Sequence, residues 1–171
     1  MQEYLLIDGY NIINNWPHLV KIKDYNLELA RTKLIEILQN YQGMQGNNII
    51  VVFDAHMSKS KTRTTAIEGK VRVFYSKKGE TADALIEKMI GELPQRSKIT
   101  VVTNDWDEQM IILGKGALRM TARELLYNIN NTEEMASSRK VNINSKNKSI
   151  EEHLHEKIKK QLEELRHKAP S

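Results

Sequence analysis

Short, strongly apolar runs alternate along this chain with longer stretches whose apolar residues recur every three to four positions. The runs are YLLI at 4–7, NIIVVF at 48–53, KVRVFY at 70–75, KITVVT at 98–103 and a weaker ALRM at 117–120. The second and fourth are apolar and β-branched at nearly every position, the pattern of strands covered on both faces. Residues 26–42 place Leu27, Ala30, Leu34, Ile37, Leu38 and Tyr41 on one helical stripe, with Gly43 as the expected stop. Residues 81–92 open on Thr81, a good N-cap, and repeat apolar groups at Ala82, Leu85, Ile86, Met89 and Ile90. A short helix is predicted from about Asp105 to Leu113, ending at Gly114. Thr121 and Glu124 form a capping box that opens another, through about Ile129. Strands alternating with helices predict an α/β fold built on a parallel, doubly wound sheet.

The pattern changes after about Asn131. Residues 132–148 are polar and basic and read as a linker or an added edge strand around Val141 and Ile143. Ser149 and Glu152 suggest a further capping box. Beyond them Ile150, Leu154, Ile158, Leu162 and Leu165 continue an apolar stripe, so 149–171 is predicted as an amphipathic C-terminal helix. The expected organisation is one domain over 1–131, the 132–148 segment, and that helix.

Composition narrows the chemistry. With no cysteine in 171 residues, a disulfide scaffold, a zinc knuckle and a cysteine nucleophile are excluded. The opening MQEYLLIDGYN carries acid on both sides of a short apolar run, unlike a secretory signal. No stretch approaches the roughly 20 apolar residues of a membrane-spanning helix, so a soluble, cytoplasmic protein without membrane partners is expected. The net charge of +4 is concentrated in one place. Between Ala55 and Gly79 seven bases (Lys59, Lys61, Arg63, Lys70, Arg72, Lys77, Lys78) meet one acid, Glu68, whereas residues 151–171 balance at five acids and five bases. A single basic segment suggests a polyanion footprint, or else a solvated loop.

Against that segment stands a set of acids. In an open α/β sheet, ligands bind outside the carboxyl ends of the strands. There the first strand runs into Asp8, the second into Asp54, and the fourth into Asp105 with Asp107 behind it; KKGETAD brings Glu80 and Asp83 to the entrance of the 81–92 helix. Each acid alone could be a cap or a turn former. Together they repel and call for a cation, and an oxygen-only ligand set selects Mg2+ or Mn2+. Carboxylate-held divalent ions beside a basic segment suggest phosphodiester hydrolysis by an activated water. Asn11 and Asn104 could orient water or phosphate. His56 could touch substrate but reads better as a surface residue. Tyr10, Trp16 and Trp106 lie beside the acids, where an aromatic face could stack an unpaired base.

IDGYN at 7–11, VVFD at 51–54, GETADALI at 79–86 and VVTND at 101–105, in this order, resemble the NYN domain, and more narrowly its YacP-like branch of bacterial ribonucleases, relatives of PIN-domain nucleases. The resemblance covers roughly residues 3–130. It implies a PIN-like three-layer α/β/α fold with a central, mostly parallel sheet, and metal-dependent endoribonuclease activity on single strands. By motif position Asp8, Asp83 and Asp105 match the family's metal-binding acids and Asn11 its motif asparagine; Asp54 and Glu80 match less securely. It further implies messenger RNA as substrate and the ribosome as partner. The competing reading is a non-catalytic RNA- or ribosome-binding module on the same fold. A phosphatase or receiver domain is disfavoured because Asp8 is followed by GYN rather than by a second acid, and a dinucleotide enzyme because no G-x-G-x-x-G turn is present.

Overall fold

The computed structural model describes residues 1–55 and 64–167. The chain divides into two units, Met1–Asn130 and Asn131–Ser171. The first unit runs β1 (Glu3–Asp8), α1 (Gly9–Asn15), α2 (Pro17–Lys23), α3 (Leu27–Gln45), β2 (Asn48–Phe53), β3 (Thr64–Glu68), β4 (Val71–Tyr75), α4 (Ala82–Glu92), β5 (Lys98–Val102), α5 (Trp106–Gly114) and β6 (Leu118–Met120), then enters α6 (Ala122–His167). The six strands are ordered β3-β4-β2-β1-β5-β6. All pairings are parallel except β3 with β4.

The two-residue period of a strand sorts the apolar side chains into two cores, one on each side of the sheet. From β1, Leu5 and Ile7 join Ile49, Val51 and Phe53 of β2 against α1, α2, α3 and the start of α6. Tyr4 and Leu6, with Ile50 and Val52, face α4 and Ile112 of α5. The result is the expected three-layer α/β/α arrangement with a mostly parallel sheet. Trp16, 1% exposed, turns the corner from α1 to α2, and its Nε1–H donates to the Ala122 carbonyl at 2.8 Å. That bond pins the first helices to the start of α6.

The structure differs from the sequence pattern at four places. Helices α1 and α2 fill 9–15 and 17–23, for which the apolar pattern predicted no element. Strand β3 is an antiparallel edge hairpin partner of β4, joined through Gly69 at φ 63°. Helix α3 passes Gly43 and stops at Gly46, whose φ of 76° lets its N–H return to the Gln42 carbonyl at 2.8 Å. Residues 132–148 are helical rather than linker or edge strand, because α6 continues through them and on to His167. No glycine or proline falls between Gly116 and Pro170 to break it. Ser137 and Ser145 turn their hydroxyls onto backbone carbonyls of the preceding turn, at 2.9 and 3.0 Å. Along the second unit the stripe of Ile150, Leu154, Ile158, Leu162 and Leu165 is exposed, 49–66%.

Candidate active site

Because β1 pairs with both β2 and β5, the carboxyl ends of these strands lie side by side. The chain builds the sheet outward on the β2 and β4 side, then crosses back over β1 to lay down β5 and β6. The reversal of direction falls between β1 and β5, which is where an open sheet leaves a crevice for ligands. Asp8 and Asp105 stand on its two sides.

Asp8 ends β1 and caps α1, its Oδ1 accepting the Asn11 N–H at 3.2 Å. The strand passes into the helix without a connecting residue, so the Asp8 carboxylate has its direction set by backbone. Gly9 makes this joint possible. A Cβ built there would lie 2.3 Å from Cε1 and 2.5 Å from Cδ1 of Phe53, a fully buried ring set between Tyr10 and Tyr75. The glycine of IDGYN is thus a packing requirement, not a turn former.

Asp83 sits in the first turn of α4, which Thr81 caps by accepting the Ala84 N–H at 3.1 Å. Its carboxyl lies close enough to that of Asp8 to raise the Asp8 pKa. Burial chiefly, and then the charges of Asp83 and Asp54, push Asp8 from the usual 3.8 up to about 6, although the Asn11 N–H works against them. Asp54 follows β2 and its Oδ2 accepts the Ala82 N–H at 3.4 Å. Glu80 closes the approach to α4, its Oε2 accepting the Lys77 N–H at 3.2 Å. Asp105 caps α5 through the Asp107 N–H at 3.0 Å. Between α4 and α5 lies a cleft of about 360 Å³ lined by Thr81, Asp83, Glu87, Asp105, Asp107 and Ile111.

The structure therefore brings Asp8, Asp83 and Asp54 together and sets Asp83 opposite Asp105 across a cleft. Among the described residues it forms no group of three or more His, Asp or Glu side chains in metal-holding geometry. What it offers is a close carboxyl pair with further acids nearby. This donor set fits Mg2+, which keeps several waters and is held by one or two carboxylates plus substrate phosphate oxygens.

Asn11 and Asn104 each spend their side-chain oxygen on a structural contact. The Asn11 Oδ1 accepts the Asn104 N–H at 3.0 Å, and the Asn104 Oδ1 accepts the Ala122 N–H at 2.9 Å. This relay locks the start of α1 to the β5–α5 loop and the first turn of α6. Asn104→Ala is expected to lower stability by about 1 kcal/mol in urea denaturation, the worth of one backbone acceptor. Three residues to which the sequence reading gave no role complete the frame. Buried Ser76 accepts the Ala55 N–H and donates to the Glu80 carbonyl, both at 2.8 Å. Thr103 accepts the Asp105 N–H on Oγ1 at 3.1 Å, and Gln109 Nε2 donates to the Thr103 carbonyl at 3.0 Å. Only the Ala55–Ser76 bond spans a long sequence separation; the others are local turn contacts.

The basic segment is divided. Lys77 and Lys78 are exposed at the carboxyl end of β4, on the approach to α4. Lys70 lies in the β3–β4 turn at the opposite end of the strand, and Arg72 is half-buried within β4, in register with Ile50 and Ile67. Lys59, Lys61, Arg63 and His56 lie outside the described residues. Among the three aromatic candidates, Trp16 is core, and Tyr10 is half-buried against Phe53 with its hydroxyl accepting from Arg31 at 2.8 Å. Trp106 is 68% exposed.

Residues 5–167 match the YacP-like NYN domain. The chain belongs to the YacP-like NYN family. It is 39% identical over 165 residues to YacP of Bacillus subtilis (strain 168), covering 96% of each chain. Its fold matches the crystal structure of Rae1 (YacP) from Bacillus subtilis at a TM-score of 0.71 with 38% identity, over 96% of this chain and 95% of that one. A mutant of the same protein matches at 0.73 with 41% identity over 85% of each. The family match spans α6, so the second unit is part of the shared pattern, which the four sequence motifs by themselves did not include. NYN domains are nuclease-like, and an RNA-related function follows for this chain. Among the described residues, no helix is long and apolar enough to cross a membrane.

Proposed function

We propose that this chain is a divalent-metal-dependent endoribonuclease that cleaves single-stranded messenger RNA in association with the translating ribosome. The observation that carries the reading is the Asp8–Asp83 carboxyl pair at the sheet's switch point, under enough mutual and desolvation pressure to hold Asp8 near pH 6. Two acids forced together at a cleft mouth give no stability in return; a cation that neutralises them explains the arrangement.

Asp8, Asp83 and Asp105 would hold the metal, with Asp54 and Glu80 on the same rim. When bound there, Mg2+ or Mn2+ would supply Lewis-acid activation of a water and neutralise charge on the scissile phosphate. The chain's own residues then have defined tasks. Asp8 must shed its proton to bind the cation, and its orientation is fixed by the α1 cap. Asp105 is held by its own cap and by the Thr103 and Gln109 contacts behind it. The Asn11–Asn104–Ala122 relay keeps the two sides of the crevice at constant separation. The N-termini of α4 and α5 both point toward the cleft and favour an anionic substrate, and Lys77 and Lys78 neutralise flanking phosphates. The ribosome and messenger components of the reading come from the family resemblance.

The test is cleavage of an end-labelled, unstructured RNA and of a translated message, in EDTA and with Mg2+ or Mn2+. Products are expected only with metal. Asp83→Asn is expected to reduce the rate about 10³-fold, the loss of roughly 4 kcal/mol of charge stabilisation, while retaining the fold by circular dichroism. The lack of a preformed three-ligand group favours one competitor, a non-catalytic RNA- or ribosome-binding module. RNA binding indifferent to EDTA, with no products in Mn2+, would establish that instead.

A further inference from the structure

Trp106 is the first residue of α5, directly after the capping Asp105. The chain has two tryptophans. Trp16 is 1% exposed and hydrogen-bonded, whereas Trp106 is 68% exposed. Helical spacing puts Met110 and Leu113 on the same side of α5 as Trp106, at i+4 and i+7, and they too are exposed, 57% and 51%. Asp107, Ile111 and Ile112, on the other side of the helix, line the acid cleft. One short helix thus carries the cleft wall on one face and an uncovered apolar stripe headed by an indole on the other.

We propose that Trp106, backed by Met110 and Leu113, is a stacking platform for an unpaired nucleobase of the RNA strand whose backbone runs through the cleft at Asp105. The proposal rests on the phosphodiester reading above for the location of that backbone. A tryptophan adjoining a metal-ligand acid is within one nucleotide of the phosphate the acid serves. The indole face is sequence-tolerant, since every base has a π-face. Three side chains on a nine-residue helix form far too small a patch for a stable protein interface, which needs about 800 Å² per partner. They suit one or two bases. Asp105 and Asp107 border the stripe at the head of α5, and Lys115 at its far end is ion-paired with Glu87 at 3.2 Å, so the affinity for RNA here comes from stacking and not from charge.

The two tryptophans make the test direct, because the acrylamide-quenchable emission belongs to Trp106 while Trp16 is shielded. The full chain is titrated in EDTA with an eight-nucleotide oligouridylate and with an abasic oligomer of the same sugar–phosphate length. Oligouridylate is expected to quench the emission and protect it from acrylamide, and the abasic oligomer to do neither. In steady-state cleavage with Mn2+, Trp106→Ala is expected to raise KM about tenfold to a hundredfold with kcat within about threefold. Trp106→Phe should restore most of the loss and Trp106→Leu should not. Equal quenching by the abasic oligomer, an unchanged KM in Trp106→Ala, or rescue by Leu as complete as by Phe would overturn the platform; rescue by Leu would point to an apolar protein contact. The two readings fail separately. Quenching by oligouridylate in a chain that cleaves nothing supports the platform and removes the nuclease. Metal-dependent cleavage abolished by Asp83→Asn, with Trp106 indifferent to bases, keeps the nuclease and removes the platform.

Discussion

Asp8→Asn is expected to stabilise the metal-free protein while abolishing its cleavage. A carboxyl whose pKa is raised in the folded state contributes stability while protonated, fully below its ordinary value of 3.8, and loses it as pH rises through about 6. At pH 8 the folded chain therefore carries the whole cost of an ionised Asp8. Two pKa units correspond to about 3 kcal/mol. Asparagine never ionises, and it caps a helix as well as aspartate does, so the Asn11 N–H keeps its acceptor. Urea denaturation in EDTA should show the variant about 2–3 kcal/mol more stable at pH 8, with the gain shrinking below pH 6 and gone near pH 4. Added Mg2+ or Mn2+ should stabilise the parent chain and not the variant. A variant less stable than the parent at pH 8 would mean that Asp8 is not under electrostatic pressure, and the argument for a bound cation would lose its support.

Gly9→Ala should be the most damaging small substitution in the site. The new methyl overlaps the Phe53 ring, with contacts of 2.3, 2.5 and 2.9 Å to Cε1, Cδ1 and Cζ. That ring is fully buried, 5.1 Å from Tyr10 and 5.5 Å from Tyr75 between ring centroids. It has no room to yield, so the β1–α1 joint must move instead. Overpacking of this kind costs about 1–3 kcal/mol. The functional loss is expected to be larger, because Asp8 immediately precedes the displaced residue and a shift of about 1 Å at a reacting centre can cost 10²-fold. A double-mutant cycle isolates the cause. In a Phe53→Leu background, where part of the ring is gone, Gly9→Ala should cost clearly less. An equal cost in both backgrounds would place the damage elsewhere.

The residues differ in how much of this they announced. β2 and β5 were legible because strands covered on both faces must be apolar at every position, and α3 and α4 because each buries one regular stripe. Their partners in the site, Asp54, Asp83 and Asp105, could be located for the same reason: they terminate or initiate those elements. The helices α1 and α2 were missed although Ile12, Ile13, Trp16 and Leu19, all buried, do form a stripe. It crosses from one seven-residue helix to the next, and Asp8–Gly9 imitates a turn. β3 has the sequence TTAIE and gains its conformation from β4 alone, so it lacks any apolar alternation of its own. The 132–148 segment mixes strong helix formers such as Glu133, Met135, Ala136 and Arg139 with Ser, Asn and Thr, and its polarity suggested a linker or edge strand. What decides it is the absence of any breaker. The Asn11–Asn104–Ala122 relay and the Ser76 bridge join residues 18 to 93 positions apart, and no local pattern encodes such pairs.

Asp8, Asp54 and Asp105 share one further property. Each spends a carboxylate oxygen on the backbone N–H of a helix start: Asn11 in α1, Ala82 in α4, Asp107 in α5. The reach of each side chain is thereby matched to peptide geometry before any ligand arrives. Glutamate, alike in charge and donor atoms, is one methylene too long to satisfy both that N–H and the same point in space. Side-chain length, more than charge, is the quantity this rim cannot exchange, and Asp-to-Glu changes here should behave as deletions rather than as conservative replacements.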